Sequence, residues 1–255
     1  MKKEAFYAFI AIFFMSMSVI TAASAVQNPE KTMMISKDIR DVTGDGKKDI
    51  LYVMGTPFEE GSMFLKKVWM KVETFDGQTF TIPLEGGYDP KVKYKDLNHD
   101  GVSDIFIAIA TGGSGGLSNY YLYTLKDNQL TNLTIPPTLT LNGQFQDQYK
   151  AVLKIENTGQ SYTFDLRSRA KDYERLGLYQ NGKLNEPTEL MILPYSTLEP
   201  VLVRGKQYGL KGIQRFSGAY NADTIGFVES TWFYENGEWK LVKTAVKTTE
   251  KPKIR

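Results

Sequence analysis

DLNHDGVSDIFIAIA, residues 96–110, sets carboxylates at Asp96, Asp100 and Asp104, with Asn98 between the first two and Gly101 after the second. An unbroken apolar run follows, as a strand buried on both faces requires. A sibling, DVTGDGKKDILYVMG, occupies 41–55 and begins 55 residues earlier. An acidic loop opening a buried strand, met twice, is the mark of a repeat, and repeats decide architecture before any single element does.

Alternate side chains of a tightly curled loop converge on one point, and a glycine at the sixth position permits the sharp turn. Counted from the first acid, positions 1, 3, 5 and 9 are Asp41, Thr43, Asp45 and Asp49 in the first loop. In the second they are Asp96, Asn98, Asp100 and Asp104. The backbone carbonyls of Lys47 and Val102, at position 7, complete each set. Donors that are all oxygen suit a hard cation, and Ca2+ is the one expected outside the cell. The alternative is a solvated turn, since Asp, Asn and Gly are ordinary turn residues. Two copies, each with a further Asp at position 9, favour the ion. Thr43 is a poorer ligand than Asn98, and Lys47 and Lys48 add positive charge, so the second site is expected to bind more tightly. Tyr52 and Ile107 stand at position 12, where a helix-loop-helix calcium hand carries glutamate.

Four further stretches read alike: TFDGQTF (74–80), LKDNQLTNL (125–133), YQNGKL (179–184) and YENGEWKLV (234–242). Each puts Asp, Asn or Gly between apolar residues, the chemistry of a tight hairpin. Measured at Gly77, Asn128, Gly182 and Gly237, they are 51, 54 and 55 residues apart. Short alternating segments cut by Gly, Asn and Pro fill the rest, and helical periodicity is confined to 167–176. The expected fold is all-β, a four-unit β-repeat over 36–247 forming a small β-propeller, with units near 36–85, 90–135, 145–190 and 196–247. A β-sandwich, or two β-domains divided near Pro136-Pro137, is the alternative.

The N-terminus differs. Lys2 and Lys3 precede the apolar run 5–20, and Ala23-Ser24-Ala25 supplies small residues for cleavage. Residues 1–25 are therefore expected to be a signal peptide, 26–35 a linker and 248–255 a tail. A retained membrane anchor is the other reading of that run. With cleavage, the rest is expected to be secreted, free or associated with a cell wall, and without a membrane segment. A net charge of +2 with scattered basic residues argues against a nucleic-acid partner. Cysteine is absent, which excludes disulfides and thiol chemistry, and His99 is the single histidine.

The two acidic segments resemble the FG-GAP/VCBS-type repeats of integrin α-subunit propellers and of many secreted bacterial proteins. The resemblance covers both loops strongly and 36–133 in outline. It implies a blade in which the loop holds calcium, and it assigns the same ten positions as ligands. The third and fourth units depart from the pattern, and Arg204 and Lys206 lie where carboxylates would be expected. No metal is expected there. The function expected is a non-catalytic, calcium-binding surface or wall module with a cell-surface glycan or protein as its ligand. The alternative is a secreted carbohydrate-active hydrolase working through paired carboxylates, with Asp223 and Glu229, or Glu59 and Glu60, as the acids. TGGSGG (111–116) lacks the lysine of a phosphate-binding loop and reads as a connection between strands.

Overall fold

The structure is a computed structural model and describes residues 31–249. The expected signal peptide and most of the tail lie outside the described residues. Among those described, no helix is long and apolar enough to cross a membrane.

The all-β expectation holds: several antiparallel sheets form, none of them closed into a barrel. The first is the meander β1 (Met33–Arg40), β2 (Asp49–Pro57), β3 (Leu65–Glu73) and β4 (Thr79–Leu84). The second is β5 (Tyr88–Lys95), β6 (Asp104–Ala110), β7 (Ser118–Thr124) and the short β8 (Thr131–Asn132). The third pairs β9 (Leu141–Gln146), β10 (Lys150–Ile155) and β11 (Gln160–Asp165). Beside it, the hairpin β12 (Tyr179–Gln180) and β13 (Lys183–Leu184) follows a single-turn helix α1 (Ala170–Arg175). The fourth sheet is the longest-stranded: β14 (Met191–Arg204), β15 (Gln207–Ser217), β16 (Thr224–Glu235) and β17 (Glu238–Thr248).

Turn chemistry makes these meanders. Asn181-Gly182 and Asn236-Gly237 join their strands with positive φ at both residues (51° and 78°; 54° and 82°). That is the two-residue turn whose twist matches the strands on either side. Adjacent strands then pair without crossovers, and each sheet is built from neighbouring sequence.

Side chains decide how the sheets meet. In β6, Ile105, Ile107 and Ile109 face the first sheet, in a core with Leu51, Val53, Met70 and Val72. Phe106 lies on the other face, with Leu97 and Leu122, against Tyr195, Leu198 and Leu210 of the fourth sheet. Successive strand residues point to opposite faces, so a strand apolar at every position must be covered twice. A third core joins the third sheet to the fourth through Phe145, Leu153, Tyr173, Phe216 and Trp232. Contacts therefore run first to second, second to fourth and fourth to third. Each fully buried isoleucine of β6 contributes about 1.5–3 kcal/mol, and Ile107→Ala would cost roughly 2–5 kcal/mol.

Candidate functional site

The two acidic loops have one design. The position-9 carboxylates, Asp49 and Asp104, are fully buried at the first residues of β2 and β6. Each takes the backbone N–H of position 2: Val42 at 2.9 Å and Leu97 at 2.8 Å. The position-1 carboxylates accept from the sixth-position glycine, Gly46 to Asp41 at 2.9 Å and Gly101 to Asp96 at 3.1 Å. The position-5 carboxylates accept from position 7, Lys47 to Asp45 at 2.7 Å and Val102 to Asp100 at 3.0 Å. Positions 4 and 6 both have positive φ, Gly44 and Gly46 in one loop, His99 (65°) and Gly101 in the other. The acids at alternate positions do turn inward, and backbone N–H groups meet them there.

The loops also differ. Asp49 Oδ1 accepts the N–H of Phe75 at 3.1 Å, and the Thr43 hydroxyl donates to Asp49 Oδ2 at 3.4 Å. Thr43 is thus buried and turned toward an acid. In the second loop Asn98 stays partly exposed, with its Oδ1 accepting from Asp100 N and its Nδ2 donating to Asp100 Oδ2, both at 3.1 Å. Asp104 Oδ2 accepts from Leu97 and Asn98, while Asp104 Oδ1 has no backbone N–H donor and is left to the neighbouring Thr124 hydroxyl. Burial pushes the Asp104 carboxyl up to about 6, against the pull of the Leu97 and Asn98 N–H groups.

The loops are neighbours. A β-carbon on Gly44 would lie 2.6 Å from Val102 Cγ2, so position 4 of one loop rests on position 7 of the other. The hairpin after β7 fastens both: Asp127 N–H donates to the Thr43 carbonyl at 3.0 Å, and Lys126 Nζ to the Asp100 carbonyl at 2.9 Å. Lys126 was not singled out by the sequence, although it sits in the repeated hairpin stretch 125–133.

Among the described residues no group of three or more His, Cys, Asp or Glu side chains converges as a metal cluster. The fit to calcium therefore rests on loop donors of mixed type. Asp96, Asn98 and Asp100 offer oxygen, the donor a hard cation takes, and the hydrogen bonds that curl the loop leave lone pairs on each. The second loop fits better than the first, where Thr43 is committed to Asp49. Asp49 and Asp104 act as buried anchors between loop and strand.

Of the four acids of the hydrolase alternative, Asp223 and Glu229 are held by cations. Asp223 is buried in an ion pair with Arg169, and its Oδ2 accepts the Tyr173 hydroxyl at 2.7 Å. Glu229 lies between Lys211 (3.1 Å) and Lys247 (2.6 Å). Glu59 and Glu60 are on an exposed turn. Arg204 pairs with Glu235 at 3.2 Å and lies over the Phe233 ring. The glycine-containing loop is tied to the fourth sheet, with Asn221 Nδ2 donating to Ser114 Oγ at 2.9 Å. Among the aromatics, Tyr120 bonds across to Leu198 and Trp232 is core.

His99 has a structural role. Its ring stacks on Phe233 at 4.4 Å, and Nε2 is 2.8 Å from the Tyr208 carbonyl, linking the second sheet to the fourth. A carbonyl only accepts, so Nε2 carries the proton.

Residues 139–247 match the model of the YybI C-terminal domain family. That span takes in the third and fourth sheets and leaves both acidic loops outside. The chain is 29% identical over 198 residues to the uncharacterized protein YybI of Bacillus subtilis (strain 168), covering 74% of this chain and 75% of that one. The FG-GAP/VCBS resemblance is thereby overturned. It rested on two short loops, and hydrogen bonding that curls a turn into a buried strand produces such loops locally, whatever family surrounds them. Among solved structures, the rhamnogalacturonan lyase YesW is 13% identical with a TM-score of 0.37, covering 85% of this chain and 34% of that one. The exotype rhamnogalacturonan lyase YesX is 15% identical with a TM-score of 0.35, covering 85% and 33%. The chain spans about a third of the length of each of these lyases.

Proposed function

We propose that this chain is a secreted, calcium-binding β-repeat protein that serves as a non-catalytic binding module at a cell surface or wall. The observation that carries the reading is the second loop. Asp96, Asn98 and Asp100 are drawn inward by the loop's own N–H groups, with the Val102 carbonyl next in order. Bound there, a calcium ion supplies the positive charge that Lys126 Nζ, 3.7 Å from Asp100 Oδ2, supplies in part. A small propeller of four β-units is the arrangement this reading carries, and the antiparallel sheets built from neighbouring sequence support it as a rigid scaffold. Secretion rests on the three-part pattern of residues 1–25. The absence of enzymatic activity rests on Asp223 and Glu229, both engaged by cations.

Thermal unfolding with calcium and with EGTA tests the ion. An ion bound only by the folded state at a hundredfold excess over Kd stabilises it by about 2.7 kcal/mol. The midpoint is expected to rise with calcium, and the rise to vanish in Asp100→Ala. An identical midpoint with and without calcium sinks the reading.

A further inference from the structure

We propose that the cleft between the second acidic loop and the β14–β15 turn is a binding site for a hydroxyl-rich anion, a sugar bearing a carboxylate or a phosphate. The proposal goes beyond the calcium reading: it shares Asp96 with that loop but rests on Lys95, Lys206 and Gln207, which the calcium reading does not use. The cleft measures about 430 Å³, within the range of small-ligand sites. It is lined by Lys95, Ser103, Lys206, Gln207, His99 and Tyr208, so residues about a hundred positions apart meet in it.

Charge and unused hydrogen-bonding capacity name the ligand class. Lys206 brings an exposed ammonium, and no ion pair or hydrogen bond engages its side chain among the described residues. Lys95 Nζ lies 4.5 Å from the centre of the Tyr208 ring, a cation held by an aromatic face instead of by an acid. The acid of the cleft is Asp96, and both of its oxygens already accept loop N–H groups, from Asp100 and Gly101. The balance is positive, and an anionic group is what two ammoniums attract. Around them Ser103 Oγ, the Gln207 amide and His99 Nδ1, whose sister nitrogen is spent on the Tyr208 carbonyl, offer donors and acceptors for hydroxyls. A bare inorganic anion would leave these three unused.

The test is titration of the isotopically labelled protein, followed by amide shifts, with glucuronate, glycerol 3-phosphate and glucose, each with calcium and with EGTA. Saturable shifts at Lys95 and at 206–208 are expected with one or both anions and not with glucose. Which anion acts tells a carboxylate source from a phosphate source. Lys206→Glu, at an exposed turn, is expected to keep the folded spectrum and weaken binding at least about tenfold, the loss of one charged hydrogen bond plus a repulsion. Gln207→Ala should weaken it by less. The proposal is overturned by no saturable shift with either anion, by equal binding of glucose, or by unchanged affinity in Lys206→Glu. Anion binding that persists in EGTA supports it even where calcium has no effect on stability. Binding that needs calcium overturns it in favour of a metal-bridged ligand.

Discussion

Phe75 donates its backbone N–H to Asp49 Oδ1 at 3.1 Å, whereas the corresponding oxygen of Asp104 is buried with no backbone donor, only the Thr124 hydroxyl beside it. Two carboxylates at equivalent places in two loops thus have different energetics. Asp49 takes backbone N–H donors on both oxygens, and Asp104 takes them on one oxygen only.

That asymmetry orders two substitutions. Asp49→Asn puts an amide N–H against backbone donors and is expected to cost about 2–3 kcal/mol. Asp104→Asn removes a charge that burial already disfavours, and can keep its oxygen on Leu97 and Asn98. Its cost is expected below about 1 kcal/mol in metal-free protein. Urea unfolding of both variants in EGTA measures the difference, and equal losses would contradict it.

Asp223 ties α1 to the loop between β15 and β16 through Arg169, Tyr173 and the N–H of Ala219 at 2.9 Å. Removing one member of a buried pair strands the other charge. Asp223→Ala is expected to lower stability by about 3–5 kcal/mol, and Tyr173→Phe by about 1–1.5 kcal/mol. Denaturant midpoints of the two variants check the order.

Glu229 gives the acid limb of stability. Burial alone would raise its pKa, but the hydrogen bonds and charges of Lys247 and Lys211 together overcome this and hold it below the ordinary glutamate range. The native state therefore binds fewer protons than the unfolded chain near that range. The stabilisation is fully present above the unfolded value, about pH 4.3, and is lost as pH falls through the lower folded value. Thermal midpoints from pH 7 down to pH 3 should fall less steeply in Glu229→Gln than in the parent. Lys247 is well exposed, so the difference is expected at about 1 kcal/mol or less.

Lys126→Met separates two effects at the second loop. Loss of the bond to the Asp100 carbonyl is expected to destabilise the metal-free protein by about 1 kcal/mol. Loss of a like charge 3.7 Å from Asp100 Oδ2 is expected to tighten calcium binding several-fold. Calorimetric titration with calcium checks the second effect; weaker binding in the variant would count against a cation in this loop.

Much of the fold was legible because its signals are local. Asn181-Gly182 and Asn236-Gly237 demand tight turns wherever they occur, and the alternation in DILYVMG reports one buried face. IFIAI in β6 reports two buried faces, yet it does not say what covers the second. The site was legible only in part. Asp41 and Asp96 turn into their loops as the spacing predicts, whereas the buried hydrogen bonds of Asp49 and Asp104 to backbone N–H groups are not legible from it. Nothing in the nine residues of either loop reveals that the β-hairpin of a neighbouring strand will supply or withhold an N–H.

By itself, then, the sequence determined strands, turns and the curl of two acidic loops, since each depends on residues a few positions apart. Tertiary structure decided the rest: the packing of the second sheet on the fourth, the stacking of His99 on Phe233, and the meeting of Lys95 with Lys206 in one cleft. Those contacts join residues from about seventy to well over a hundred positions apart. Their energy comes from burying two apolar faces against each other, which no local pattern records.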